Sequence, residues 1–459
     1  MPTSLPLPTA GDDAHPVSSA STSVTIWGAV KQIVSQFKSD ASPYLLTAFL
    51  GCWLGGVFDG LDSSLMHLTM PLALKELTGQ PIATVAHLGG WITAIFLVGW
   101  TLGGFVFGTL GDKYGRIKAM IGSILLYSVC TGLCGLAHSW QELAAYRFLT
   151  GLGIGGELVS ITAFLTEVWP ATSRVQAVAL LITSYQVGQL LAGGVNLLVL
   201  EWRHAFFIGA LPAVLTLFIR RGLNESEQWI EAQRERLQHD ALAQAGASST
   251  GTDHFNPWQQ LWQQGCQRDL WVGSVAFTAF LIVTWAAMAW IPSWVSSLPN
   301  APTDARQTQV MIQSACALLG CGVAAFSTQL WGRKASLQLG CAGMLVCMIV
   351  LFTGFQHVSP WLYAVGGVFG LFHGLTQSSM YVYIPELFPT LVRMSGTGFC
   401  FNVGRLVTAL AVVGMGYLVS ALGGFAPAAL VFGLFNLVAI LALCFGRESR
   451  STGVITASR

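Results

Sequence analysis

The chain is dominated by long apolar runs. About twelve of them reach the roughly 20 residues that an α-helix needs to cross a bilayer: near 44–74, 84–110, 116–138, 140–168, 173–200, 203–220, 270–298, 306–331, 335–356, 360–384, 392–420 and 425–446. Such runs can be accommodated only by an all-α membrane protein. A barrel would show short alternating segments instead. Composition agrees, since 9% of residues are charged against roughly 25% in a soluble domain.

Charge sets the topology. Of 22 Lys and Arg, Lys75, Arg203 and Arg306 follow odd-numbered runs, Arg147 and Arg405 lie inside runs, and the others fall on the opposite side. The positive-inside rule makes that side cytoplasmic, so twelve transmembrane helices with both termini cytoplasmic are predicted. Residues 1–40 lack the apolar core of a signal peptide and read as a disordered cytoplasmic tail, and 447–459 as a second tail. The ten cysteines show no CxxC spacing, and all but Cys266 lie almost wholly in apolar runs. They read as packing residues, and no metal or cofactor is expected. The absence of a basic run argues against nucleic acid.

One long polar linker, 221–268, separates two halves, 41–220 and 269–446. Glu227, Glu231, Arg234 and Glu235 give its start a helical charge pattern, and Trp258 and Trp262 suit a bilayer surface. The halves repeat. "EVWPATSR" (Glu167, Pro170, Arg174) matches "ELFPTLVR" (Glu386, Pro389, Arg393) at one common offset, and Gly115 and Arg116 match Gly332 and Arg333 at an offset two residues shorter. Parallel six-helix repeats of this kind place a substrate site at the midplane between halves and alternate access by rocking.

With that repeat, "GTLGDKYGRIK" (Gly108 to Lys118) resembles the loop signature of the major facilitator superfamily, over roughly residues 40–446. "YRFLTGLGIGGELV" (Tyr146 to Val159), "WRHAFFIGALPA" (Trp202 to Ala213) and "PELFPTLVRMSGTGFCFNVGR" (Pro385 to Arg405) resemble its carboxylate:proton symporters of lactate, sialate and aromatic acids, and its organic-anion transporters. The pattern departs in three places. Gln329 stands where Asp112 stands in the first half, "NESEQW" (Asn224 to Trp229) only partly resembles the Pro-Glu-Ser motif of sugar porters, and "FGRESR" lacks their Pro-Glu-Thr.

An ionisable residue inside a span is a functional hypothesis by default. Asp59 and Asp62 share a helical face with Cβ atoms about 5–6 Å apart. Either one carboxylate carries a proton there, or the two pair with a cation or cap a helix break at Gly56 and Gly60. Glu157 is a further proton-coupling candidate. Arg147, about 15 Å from it along the helix, reads as a structural residue toward the outer side. Arg405 offers a planar fork that matches a carboxylate, with Asn402 one turn before it; a permanent ion pair is the alternative. An arginine in an "NVGR" context on span eleven is associated with anion recognition in the organic-anion transporters that the sequence resembles. His373, Gln377 and Tyr381 form a polar stripe, and Tyr185, Gln186 and Gln189 a second; both are candidates for substrate contact or interhelical bonding. Trp285 and Trp290 suit a substrate wall, an interfacial belt or packing. Gly111, Asp112, Gly115, Arg116, Glu167, Arg174, Glu386 and Arg393 form a cytoplasmic gate set, which the resemblance makes a latch favouring the outward-facing state.

With what the resemblance implies, the chain is expected to be a monomeric proton-coupled symporter of the inner membrane, whose partners are protons and a small organic anion, a monocarboxylate or aromatic acid. The alternatives are a sugar carrier or drug/metabolite exporter of the same superfamily, or a transporter-like receptor. An enzyme is not expected, because "GLGIGG" follows no strand and no nucleophile–base pair is evident. A reporter that is active only in the cytoplasm, fused to either end, is expected to be active in both fusions; silence at either end reverses the topology.

Overall fold

The computed structural model describes residues 35, 39–40, 42–170, 173–199, 201–227, 229–231, 233–234, 266–388 and 393–449. Most of both tails, and the linker from 235 to 265 with Trp258 and Trp262, lie outside the described residues, as do Pro389 and the side chains of Asp112, Gln329 and Arg393. Among the described residues there is no strand.

The first half comprises α1 (Pro43–Thr78), α2 (Ile82–Tyr114), α3 (Arg116–Cys134), α4 (Trp140–Val168), α5 (Arg174–Leu198), α6 (Trp202–Ile208) and α7 (Pro212–Gly222). The second begins with α8 (Gln267–Ile282), which passes through a π-helical turn (Val283–Ala287) and a 3₁₀ turn (Met288–Trp290) into α9 (Ile291–Ser297). It continues with α10 (Ala305–Leu330), α11 (Arg333–Gly354), α12 (Pro360–Glu386), α13 (Arg393–Ala421), α14 (Phe425–Gly433) and α15 (Phe435–Phe445). Every apolar run is helical, the sixth and the last as two shorter helices. Among the described residues, ten helices are long and apolar enough to cross a membrane.

Local sequence explains where helices start. Ser42, Ser139 and Ser359 cap α1, α4 and α12, each side chain accepting the backbone N–H three residues on. A side-chain oxygen at that position satisfies one of the donors a helix leaves orphaned. Proline follows the cap in α1 and α12, where the first turn tolerates its missing N–H.

The halves pack alike. In the first, α4 lies against α2 and α3; in the second, α12 lies against α10 and α11. They meet through α2 with α13 and α5 with α10. Within the first half, α1 approaches α5 so closely that a Cβ on Gly60 would fall 2.1 Å from the Tyr185 carbonyl oxygen. Small residues are what permit such backbone proximity in a bilayer, where packing replaces the hydrophobic drive.

Gly60→Val is therefore expected to lower the thermal unfolding midpoint of the purified protein in detergent, with a loss of about 1–3 kcal/mol. Gly194→Ala, where an added Cβ meets nothing within 4 Å, is the control that should leave it unchanged.

Candidate functional site

Two buried arginines occupy opposite electrostatic situations. Arg147 of α4 and Asp62 of α1 are both fully buried and form a bidentate pair, Nη1 to Oδ2 at 3.0 Å and Nη2 to Oδ1 at 3.1 Å. Thr131 of α3 donates to Asp62 Oδ1 at 2.7 Å, Arg147 Nε donates to the Cys134 sulfur at 3.2 Å, and the guanidinium stacks over Phe206. All five residues belong to the first half. Asp62 is thus not one of two carboxylates facing each other. Its oxygens are satisfied by a cation and a hydroxyl, which is the pairing alternative left open by the sequence. Arg147 lies buried within the half, in a structural pair.

Arg405 of α13 is 8% exposed. Its Nη1 donates to Asn402 Oδ1 at 3.4 Å, and its guanidinium lies over Trp100 of α2 at 5.2 Å and Phe401 at 6.0 Å. Tyr381 of α12 and Asp59 of α1 are the groups whose charge or hydroxyl acts on it. Among the described residues it makes no ion pair within 4.0 Å. Asp59 accepts a 3.4 Å hydrogen bond from Ser63 and lies beside Tyr185. Arg405 and Asp59 thus belong to opposite halves and lie near enough for each to act on the other's charge.

Glu157 of α4 is buried against Gly55 of α1, and among the described residues neither of its oxygens has a hydrogen-bond partner. Its polar neighbours are Asp59 and the hydroxyl of Tyr127. A bare carboxylate is costly to bury unless it is neutralised or paired.

The expected stripe on α12 divides among three partners. Gln377 accepts a hydrogen bond from Gln186 of α5 across the interface, Tyr381 packs on Phe277 and Phe401, and His373 stacks on Phe280 with Nε2 3.3 Å from Thr284 Oγ1. His373 is thus held against α8 within its own half. Gln189 has a buried amide oxygen with no partner among the described residues. Trp285, on the π-helical turn, crosses the interface to pack against His67, Phe96 and Trp100, while Trp290 stacks on Phe425. Both are buried, so an interfacial belt is not their setting.

Sequence reasoning does not single out Ser63, His67 or Trp100. The first two follow Asp59 at i+4 and i+8, which was the available signal; Trp100 had none.

At the end of the bundle carrying Gly115 and Gly332, the gate set forms two matching clusters. Arg116 Nε pairs with Glu167 at 3.1 Å, and Arg333 Nε with Glu386 at 3.0 Å. Each pair lies inside one half, so it locks that half together. Neither of these two pairs joins one half to the other. Arg174 donates to the Trp169 carbonyl instead of a carboxylate, and Gly111 accepts the Gly115 N–H at 3.1 Å.

A further pair of acids completes the clusters. Glu225 accepts from the backbone N–H groups of Arg116 and Ile117, both at 2.9 Å, and Glu448 from those of Arg333 and Lys334 at 2.7 and 3.2 Å. Ser226 then donates to Glu167 and Ser449 to Glu386. Gly115 and Gly332 sit at φ +112° and +98°, with the Glu225 and Glu448 carboxylates packed where a Cβ would be. Burial pushes the Glu225 carboxyl above the ordinary carboxylate range, against the pull of its N–H donors. The Glu-Ser dipeptide after the sixth and the last apolar runs was legible as a repeat. The departure from the Pro-Glu-Ser and Pro-Glu-Thr motifs concerns flanking residues and leaves the acid itself in place.

The sequence pattern of the sugar (and other) transporter family matches residues 57–447. The chain belongs to that family. The family is part of the major facilitator superfamily, and the chain is a multi-pass protein of the cell membrane, a transporter and not an enzyme. It is 29% identical over 418 residues to the niacin transporter NiaP of Acinetobacter baylyi, covering 86% of this chain and 92% of that one. It is 28% identical over 414 residues to a probable 4-methylmuconolactone transporter of Cupriavidus pinatubonensis, covering 86% and 90%. An inward-open structure of the xylose transporter XylE from E. coli superposes with a TM-score of 0.69 at 18% identity, over 89% of this chain and 98% of that one; at that identity the likeness concerns the fold.

Removing one partner of a buried ion pair costs about 3–5 kcal/mol, whereas removing both costs far less. Asp62→Asn is expected to lower the thermal midpoint sharply, and Asp62→Asn with Arg147→Gln to recover most of the loss. Additive losses in the double variant would show that the pair is not a unit.

Proposed function

We propose that this transporter is a proton-coupled symporter of a small organic anion, a monocarboxylate or aromatic acid. It crosses the inner membrane twelve times, keeps both termini in the cytoplasm and works as a monomer by rocking its halves. The observation that carries this reading is Arg405, a buried guanidinium at the interface with no carboxylate within ion-pair distance among the described residues, under the ring of Trp100. A substrate carboxylate fits the fork, and aromatic faces suit a ring attached to it. Relatives named for niacin, benzoate, gentisate and muconate transport support the substrate class.

Coupling follows from charge. In the empty carrier, Asp59 offsets the Arg405 charge across the interface. When the anion docks on Arg405, two negative groups face one cation, and a proton on Asp59 restores the balance. Glu157, which touches the same electrostatic neighbourhood through Asp59, is the second proton-carrying candidate. Asp62 is reassigned to the tie with Arg147. Gln186 and Gln377 close the two halves over the site, and Asn402 orients Arg405.

A proton-coupled sugar carrier is the second reading. The family name, and the description of a XylE structure as that of a proton:xylose symporter, favour it. A neutral sugar leaves Arg405 uncompensated, which argues against it.

Labelled benzoate and nicotinate should accumulate in proteoliposomes only under an inward pH gradient, and the extent should not respond to a clamped potential, since anion plus proton is neutral. Arg405→Gln is expected to raise the KM by tenfold or more. Asp59→Asn should abolish gradient-driven accumulation while sparing exchange. Movement of a sugar and of neither acid would assign Arg405 to a structural role.

A further inference from the structure

A third arginine stands at the very start of a span and, unlike Arg147, has no acid partner among the described residues. Arg306, at the start of α10, is half-buried at the end of the bundle opposite the Gly115 and Gly332 clusters, where the halves are in contact. Around it Gln307 donates to Asn196 at 3.2 Å, Met311 packs on Gly193, and Trp290 lies against Gly89. The Arg306 Nη1 donates across the interface to the Leu68 carbonyl of α1 at 2.9 Å, and Nη2 donates to Ser296 Oγ of α9 at 3.0 Å. Its Nε is buried with no partner, and no charged group among the described residues acts on it.

We propose that Arg306 is a second anion site, at the outer mouth, where an incoming carboxylate docks and in doing so releases the outer gate. The inference rests on the organic-anion reading and on the topology that makes this end external. A guanidinium offers five donors. Here two of them are met by neutral oxygens and one by nothing, so the charge has no counter-charge. A carboxylate is a stronger acceptor than a backbone carbonyl for such a donor. Arriving from outside, it takes the Nη1 that now holds α1, and the bond joining the halves at this point is exchanged for one to the substrate. Docking and opening then become one event, and ligand binding favours the outward-open state by its differential affinity for it.

The experiment uses the full-length protein in oriented proteoliposomes with Met311→Cys as reporter, a position covered by the opposite half, and the parent protein as blank. The rate of modification by a membrane-impermeant thiol reagent measures outer opening. External benzoate is expected to speed labelling several-fold when Arg306 is present. With Arg306→Gln, labelling is expected to be fast at once and indifferent to benzoate, and the KM for external benzoate to rise about tenfold while efflux from loaded vesicles keeps its own KM. Arg306→Lys, which keeps the charge, should restore the response to benzoate in part. Labelling that is slow in Arg306→Gln, or that responds to benzoate as before, overturns the proposal. If the reporter responds to benzoate through Arg306 but benzoate is not transported, the site stands and the substrate reading fails. If benzoate is transported with an unchanged external KM in Arg306→Gln, the substrate reading stands and the site fails.

Discussion

Every buried charge in a bilayer protein must be compensated or neutralised, and the arrangement of this molecule follows from how its embedded charges meet that requirement. Arg147 meets it permanently, with Asp62, Thr131, Cys134 and Phe206 all supplied by the first half. That pair can therefore move as part of a rigid unit. Arg405 has no such partner among the described residues and draws on both halves, on Asn402, Tyr381 and Phe401 of its own and on Trp100 and the charge of Asp59 from the other. Its surroundings change whenever the halves shift. The same residue type thus serves structure in one place and is free for chemistry in another.

The end of the bundle carrying Gly115 and Gly332 applies the same logic to backbone charge. Helices α3 and α11 begin at glycines with positive φ, and their exposed N–H groups receive a carboxylate, Glu225 or Glu448, that arrives from the end of the same half. Helix N-termini favour anions, so these acids tie the chain's far end to its third helix in each half. The serine beside each acid carries the tie on to the Arg116–Glu167 or Arg333–Glu386 pair. Two rigid halves result, and the hydrogen bonds named between them are few: two neutral ones, Gln186 with Gln377 and Gln307 with Asn196, and one from a charged donor, Arg306 to the Leu68 carbonyl. Neutral hydrogen bonds are worth about 0.5–1.5 kcal/mol each and one to a charged group about 1.5–3 kcal/mol, weak enough to break and re-form within a cycle.

Much of this was written in the linear sequence. Apolar runs locate the helices to within a few residues, because a span must satisfy its own backbone and expose an apolar surface. The repeated motifs announce two halves. The embedded ionisable residues stand out by their cost, and each of Asp59, Asp62, Arg147, Glu157 and Arg405 does lie buried.

Which of them are partners was not legible. Asp62 and Asp59 share a helical face, yet one turns to a cation 85 residues away and the other looks toward the opposite half. His373, Gln377 and Tyr381 share a stripe and reach three different neighbours. Spacing along a helix specifies a face, whereas pairing depends on which other helix packs there, and that is decided by glycine contacts such as Gly60 on Tyr185 and by the approach of the two halves. Sequence by itself determined the helices, the duplication and the inventory of expensive charges. Only the tertiary structure decided which charges are satisfied within a half and which wait at the interface, because compensation is a matter of a few ångströms between segments far apart in the chain.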